Sequence, residues 1–361
     1  MTSAPRQWVA WLAGILAVAA VLWTSAATAC VICVPYPTTT HADLLIESES
    51  VIVAREDPER PFFYAPVEIL KGALDGRPID LFLDSTTRQR LRHYPDEGVL
   101  LYRRNADAPW QRLAYATTAY REAVGQLLEH AESWRGGLRK QERLEFFSRH
   151  LLSGDSTLRE QAYLELGRAP YSWIARLAGR IPREEIRGFL SDDRMLEWHS
   201  LFILMLGQSD HPDDLEYIRA NFESASRFTL TSNLSAWTVA FVEAHPETAI
   251  AEIETDIFAN VARSSRTLEA VLQGLSVIAS QDGILVPQRI AELRRRLIES
   301  YGALLELHPQ LAGWVARDLA LWKRQALVEP LTAIAAKEAL LDPAARFAVE
   351  SYLASASGFP E

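Results

Sequence analysis

Prolines recur where a helix would begin, at Pro182, Pro212, Pro246, Pro287, Pro309 and Pro343, and this punctuation constrains the chain more than any other feature. Proline lacks an amide hydrogen and its ring obstructs the preceding turn, so a helix tolerates it in the first turn and not further in. Acids follow in Pro212-Asp213-Asp214, and Asp342 precedes Pro343; early acids suit the helix dipole. Between these points apolar residues keep helical spacing. Leu144, Phe147 and Leu151 form one stripe, Leu158, Ala162 and Leu166 a second, and Leu215, Ile218 and Phe222 a third. The pattern continues through Ile250, Ile253 and Ile257, then Leu268, Val271, Leu272 and Leu275, then Ile290, Leu293 and Leu297. The run Leu201 to Leu206 is apolar on every side, which predicts a central, buried helix. Residues 141–356 therefore read as wholly helical.

These units echo one another. Asp155-x-x-x-Arg159-x-x-Ala162 with Leu166 matches Asp342-x-x-x-Arg346-x-x-Val349 with Leu353, and Leu166-Gly167 returns as Leu206-Gly207. Neighbouring units lie roughly 30 to 40 residues apart, the range of helical-hairpin solenoids. In this pattern the stretch resembles a degenerate HEAT-type repeat. The resemblance implies that the Asp caps a helix, that the Arg bonds to neighbouring loops, and that the stack offers a long surface for a protein partner.

The preceding part reads differently. Val51 to Arg55, Phe62 to Leu70, Pro78 to Asp84, Gly98 to Arg104 and Trp110 to Ala116 carry alternating or short apolar runs with β-branched or aromatic residues. Breakers separate them at Asp57-Pro58, Lys71-Gly72, Asp75-Gly76, Pro95-Asp96 and Asp107-Ala108-Pro109. Five short strands closed by a helix over Tyr120 to Trp134 suit a small barrel of the OB type. Cys30-Val31-Ile32-Cys33, Ala42-Asp43 with Ser50 to Arg55, and Pro66-Val67-Glu68-Ile69-Leu70-Lys71-Gly72 resemble a netrin-like domain, the fold shared with tissue inhibitors of metalloproteinases. That resemblance implies a zinc-chelating amine and carbonyl at Cys30 and a protease-contacting side chain at Val31. The family spaces its opening cysteines one residue apart and ties each to a distant cysteine. Here the gap is two and no distant cysteine exists.

Ahead of this lies a sorting segment. Arg6 is the only charge before an apolar run from Trp8 to Trp23, and Ala27 and Ala29 supply a signal-peptidase pattern that would leave Cys30 as the first mature residue. The same letters admit lipidation of Cys30, or retention of the run as an uncleaved membrane anchor. All three readings place the folded part outside the cytoplasm, in the periplasm or cell envelope. Cys30 and Cys33 are the only cysteines, so in an oxidising compartment they could close a local bridge. A thioredoxin-like use would require a helix after them to lower the thiol pKa, and Pro35 and Pro37 obstruct one.

The net charge of −10 argues against a nucleic-acid role. Arginines cluster at Arg88, Arg90 and Arg92, at Arg103 and Arg104, and at Arg294 to Arg296; they read as solvated faces balanced by acids. Nucleophile elbows, phosphate loops and paired metal ligands do not occur in the required context. His199 reads as a core or subsurface histidine, His211 as a helix cap, and Glu184-Glu185 as a first turn. His41 is the only histidine near the cysteine pair, too little for zinc. Trp173, Trp198, Trp237, Trp314 and Trp322 read as packing anchors unless a groove is lined by them. The expectation is a multidomain β plus α chain: signal peptide 1–29, a five-stranded OB-like barrel with its C-terminal helix over 30–135, and an α-solenoid over 141–356. Its expected role is a non-catalytic protein-binding scaffold without cofactor or metal. A metalloprotease inhibitor and a thiol-disulfide oxidoreductase are the alternatives.

Overall fold

The computed structural model describes residue 32 and residues 39–137, 140–280, 287–337 and 340–359. The signal-like run, Cys30, Val31 and Cys33 lie outside the described residues. The architecture is mixed β plus α, an antiparallel sheet followed by a long helical part.

Helix α1 (His41–Glu47) opens with a capping box: the Thr40 hydroxyl accepts the Asp43 amide, and the Asp43 carboxylate accepts the Thr40 amide. The sheet comprises β1 (Ser50–Glu56), β2 (Tyr64–Lys71), β3 (Gly98–Arg103) and β4 (Gln111–Ala116), in the order β2-β1-β3-β4 with every pair antiparallel. Ile52 faces Ile69 on one side and Leu101 on the other. The central strands β1 and β3 are unbroken apolar runs because both of their faces are covered. Val51, Val53, Leu100 and Tyr102 join the large core, while Ile52, Ala54, Val99 and Leu101 pack with Tyr64, Ile79, Leu83 and Leu91 in a second one.

Among the described residues the sheet has four strands and is open. The run expected as a further strand, Pro78 to Asp84, makes one bridge, Phe63 to Phe82. Its alternation nevertheless serves burial, since Ile79 and Leu83 enter the second core while Phe82 is exposed. Directly after it comes a helix that the strand pattern did not anticipate, α2 (Ser85–His93), capped by the Asp84 carboxylate on the Thr87 amide at 2.8 Å. It carries Arg88, Arg90 and Arg92. Arg88 pairs with Glu56 and Arg90 with Glu97. The closing helix is divided at His130 into α3 (Thr118–Glu129) and α4 (Ala131–Trp134).

The helical part runs through α5 (Lys140–Ser148), α6 (Ser156–Gly167), α7 (Tyr171–Leu177), α8 (Arg183–Leu190), α9 (His199–Leu206), α10 (Pro212–Arg227), α11 (Leu234–Ala244), α12 (Ala249–Ile253), α13 (Ser265–Ala279), α14 (Pro287–Leu307), α15 (Ala312–Trp322), α16 (Val328–Ala335) and α17 (Pro343–Ala356). Pro212 and Pro343 stand in first turns as the sequence predicts, whereas Pro182 is the N-cap of α8. Asp155 and Asp342 cap α6 and α17, and Arg159 donates to the Ser153 carbonyl in the preceding turn.

Every residue from Leu201 to Leu206 in α9 is at most 1% exposed, because α6, α7, α8 and α11 surround that helix. From there α11 packs on α13, α13 on α15 and α15 on α17. Small residues let these helices approach closely. A Cβ on Gly274 of α13 would lie 2.6 Å from the Ser235 carbonyl of α11, and one on Gly313 of α15 would lie 2.6 Å from the Cα of Ala345 in α17. One apolar cluster continues from Ile32 and α1 through the stack to Ala356.

Candidate functional site

Two arrangements stand out, a buried polar cluster where α1 meets the helical part and a surface groove near the C-terminus. The cluster forms around Thr40, which has no exposed surface. Its hydroxyl donates to Glu165 of α6, and the His41 amide donates to Gln161 at 2.9 Å. Arg143 of α5 reaches Glu165 at 2.5 Å and Asp43 at 2.6 Å, and Arg168 reaches Asp43 at 2.6 Å. Burial pushes the Asp43 carboxyl up, but the charge and hydrogen bond of Arg143, the Thr40 amide and Arg168 together hold it below its ordinary value. Two guanidinium groups thus face two carboxylates, and the charges cancel. Beside them His41 Nδ1 lies 2.7 Å from the Tyr120 hydroxyl, and burial lowers the imidazole pKa to about 4. The ring is therefore neutral at pH 7.

Chemically this cluster is closed. Each charged group already holds an opposite charge, and no nucleophile stands beside a free base. A buried network of this kind fixes geometry, and breaking it by removing one partner costs about 3–5 kcal/mol. Its effect here is to hold α1, and with it the entry to the sheet, against α5 and α6.

The groove has the opposite character. It encloses about 630 Å³ between α15 and α17. On α15 the residues Trp314, Arg317 and Leu321 recur at helical spacing, forming a second stripe beside the buried one of Ala312, Val315, Ala316 and Leu319. On α17 the corresponding walls are Phe347 and Ser351, off the buried stripe of Val349, Tyr352 and Ala356. Phe347 is 72% exposed and Leu321 is 53% exposed. The Arg317 guanidinium lies 4.2 Å from the centre of the Trp314 ring, a cation–π contact. The groove therefore combines apolar walls with the Arg317 cation, the acids Glu269 and Asp342, and the hydroxyls of Ser351, Tyr352 and Ser355.

The residues singled out by sequence fall elsewhere. His199 Nε2 is 3.1 Å from the Phe189 carbonyl, a subsurface structural contact. His211 caps α10, its Nδ1 accepting the Asp213 amide at 3.3 Å. Glu184 and Glu185 occupy the first turn of α8. Trp198, Trp237 and Trp322 are buried packing residues, and Trp173 packs partly buried under Arg176. Of these tryptophans only Trp314 lines the groove, so no row of indoles forms a sugar platform there. Among the described residues no three of His, Cys, Asp and Glu come together to hold a metal ion. No described helix is long and apolar enough to cross a membrane. The groove was legible in principle as a second apolar stripe on α15. The polar cluster was not, because its members come from Thr40 to Arg168 and meet only in the fold. Comparison with protein-family models, curated proteins and solved structures gives no match to this chain.

Proposed function

We propose that the chain is a non-catalytic scaffold of the cell envelope that docks a protein partner in the groove between α15 and α17. The observation that carries this reading is the exposure of Phe347 and Leu321 on facing walls of one groove. Large apolar side chains gathered on a surface cost free energy in water unless something covers them, roughly 25 cal/mol per Å² of apolar area. An amphipathic helix presenting one apolar stripe matches the two parallel walls.

In the same reading the helical part is a HEAT-like α-solenoid, supported by the succession α9, α11, α13, α15, α17 in which each helix packs on the next. The sheet is a netrin-like, OB-type module in which residues 78–84 take the place of the fifth strand, supported by the bridge at Phe82. The polar cluster around Thr40 and Glu165 holds this module against the stack. Export, by cleavage before Cys30, lipidation there, or an uncleaved N-terminal anchor, would place the scaffold in the envelope.

The test is photocrosslinking from position 347 in envelope extracts. One reproducible protein adduct is expected, lost when Leu321→Asp places a charge in the opposite wall. Adduct formation that is absent, or that is unchanged by Leu321→Asp, refutes docking in this groove.

A further inference from the structure

Behind the groove, α15 carries a buried acid. Asp318 is 5% exposed. Ser276 of α13 donates to its Oδ1 at 2.5 Å, and the Tyr301 hydroxyl of α14 lies 2.6 Å from its Oδ2. One turn further along α15, Trp322 stacks on the Tyr301 ring with centroids 6.0 Å apart, and its Nε1 donates to the hydroxyl of Ser280, the C-cap of α13, at 3.3 Å. A single carboxyl group thus joins three helices.

Among the described residues no cation contacts it. The titratable and charged groups acting on Asp318 are Tyr301 from α14 and Arg317 from its own helix, while α13 contributes the uncharged Ser276 hydroxyl. The described residues of α16 and α17 contribute none. Arg317 is occupied over Trp314 in the groove and donates to the Gly313 carbonyl. The other buried acids are treated differently: Asp214 holds Arg183 and Arg187, and Glu165 holds Arg143. A carboxylate without a cation in such surroundings is costly, whereas a neutral carboxylic acid with hydroxyl partners is not.

We propose that Asp318 is a proton-operated clasp, which when protonated locks α15 against α13 and α14 and when ionised loosens that joint and the groove wall built on it. The link to docking rests on the groove reading above; the clasp itself does not. Burial raises the Asp318 pKa to about 6, against hydrogen bonds from Ser276 and Tyr301 that lower it. An opening of α15 that exposes the group to water returns it to its ordinary value of about 3.9, so opening becomes easier as pH rises through this window. Between pH 5 and pH 7 the two values give an increase of about tenfold in the opening equilibrium.

The experiment is amide hydrogen exchange on the full chain at those two pH values, corrected for intrinsic exchange, for wild type and Asp318→Asn. The wild type should show opening of α15 about tenfold more favourable at the higher pH, and the variant should show no such change. Should the variant fail to fold, direct titration of the wild-type Asp318 carboxyl by NMR decides. An apparent pKa near 6 supports the clasp and one near 4 overturns it. An α15 profile that is flat with pH in the wild type, or the same in both proteins, also overturns it. Loss of crosslinking at position 347 with the α15 profile intact counts against the groove alone.

Discussion

Replacing Gly313 with alanine should destabilise the C-terminal end of the stack, although the same change improves intrinsic helix propensity. The new methyl carbon would lie 2.6 Å from Ala345 Cα and 2.7 Å from Ala345 Cβ, where ordinary contacts begin near 3.4 Å. The obstacle is the backbone and the methyl group of Ala345, neither of which can rotate away, so α15 and α17 must separate by most of an ångström. Overpacking of this kind costs about 1–3 kcal/mol, and the absence of any flexible neighbour places it at the upper end, about 3 kcal/mol. Alanine returns about 1 kcal/mol relative to glycine inside a helix. The net loss is therefore about 2 kcal/mol. Gly302 of α14 provides the control, because a Cβ there meets only the Leu327 side chain at an unstrained 3.6 Å. Gly302→Ala should be stabilising by up to about 1 kcal/mol. Urea unfolding with a reporter in α17 measures both. Equal shifts for the two variants, or a stabilising Gly313→Ala, would refute the argument that close backbone approach sets the position of α17 and hence the width of the groove.

Glu165→Ala leaves Arg143 buried beside only Asp43, and should cost about 3–5 kcal/mol in thermal or urea unfolding; a change below about 1 kcal/mol would mean that the cluster does not hold α1. His41 remains neutral in the fold down to about pH 4, while the unfolded chain takes up a proton near pH 6.5. Stability should therefore be unaffected above about pH 6.5 and fall as pH drops from there towards 4. The loss is at most about 3 kcal/mol, reduced by whatever water reaches the ring. His41→Gln should remove that part of the acid sensitivity, and an unchanged profile in urea unfolding against pH would exclude His41 as its source.

The two halves of the chain were legible to different degrees, for a physical reason that particular residues illustrate. Leu201 to Leu206 and the caps at Asp155, His211 and Asp342 are local facts, set by hydrogen bonds and burial within one or two turns, and the structure has them where the pattern implies. Ile79, Leu81 and Leu83 alternate as a strand would, yet the segment is extended without a ladder, because alternation reports which side is buried and not whether a neighbour pairs. Helix α2 escaped notice because its buried face is only Thr87 and Leu91, too few apolar positions to establish a period.

The sequence by itself determined the starts at Pro212 and Pro343 and the stripes that the long helices hide, since spacing along a helix follows from its own geometry. Only the tertiary structure decided which acid met a guanidinium and which met two hydroxyls. Glu165 and Asp318 are both carboxylates on helices, but one lies against Arg143, 22 residues away, and the other against Tyr301, 17 residues away. The field that each carboxylate feels depends on neighbours brought in by packing, which local helix geometry does not specify.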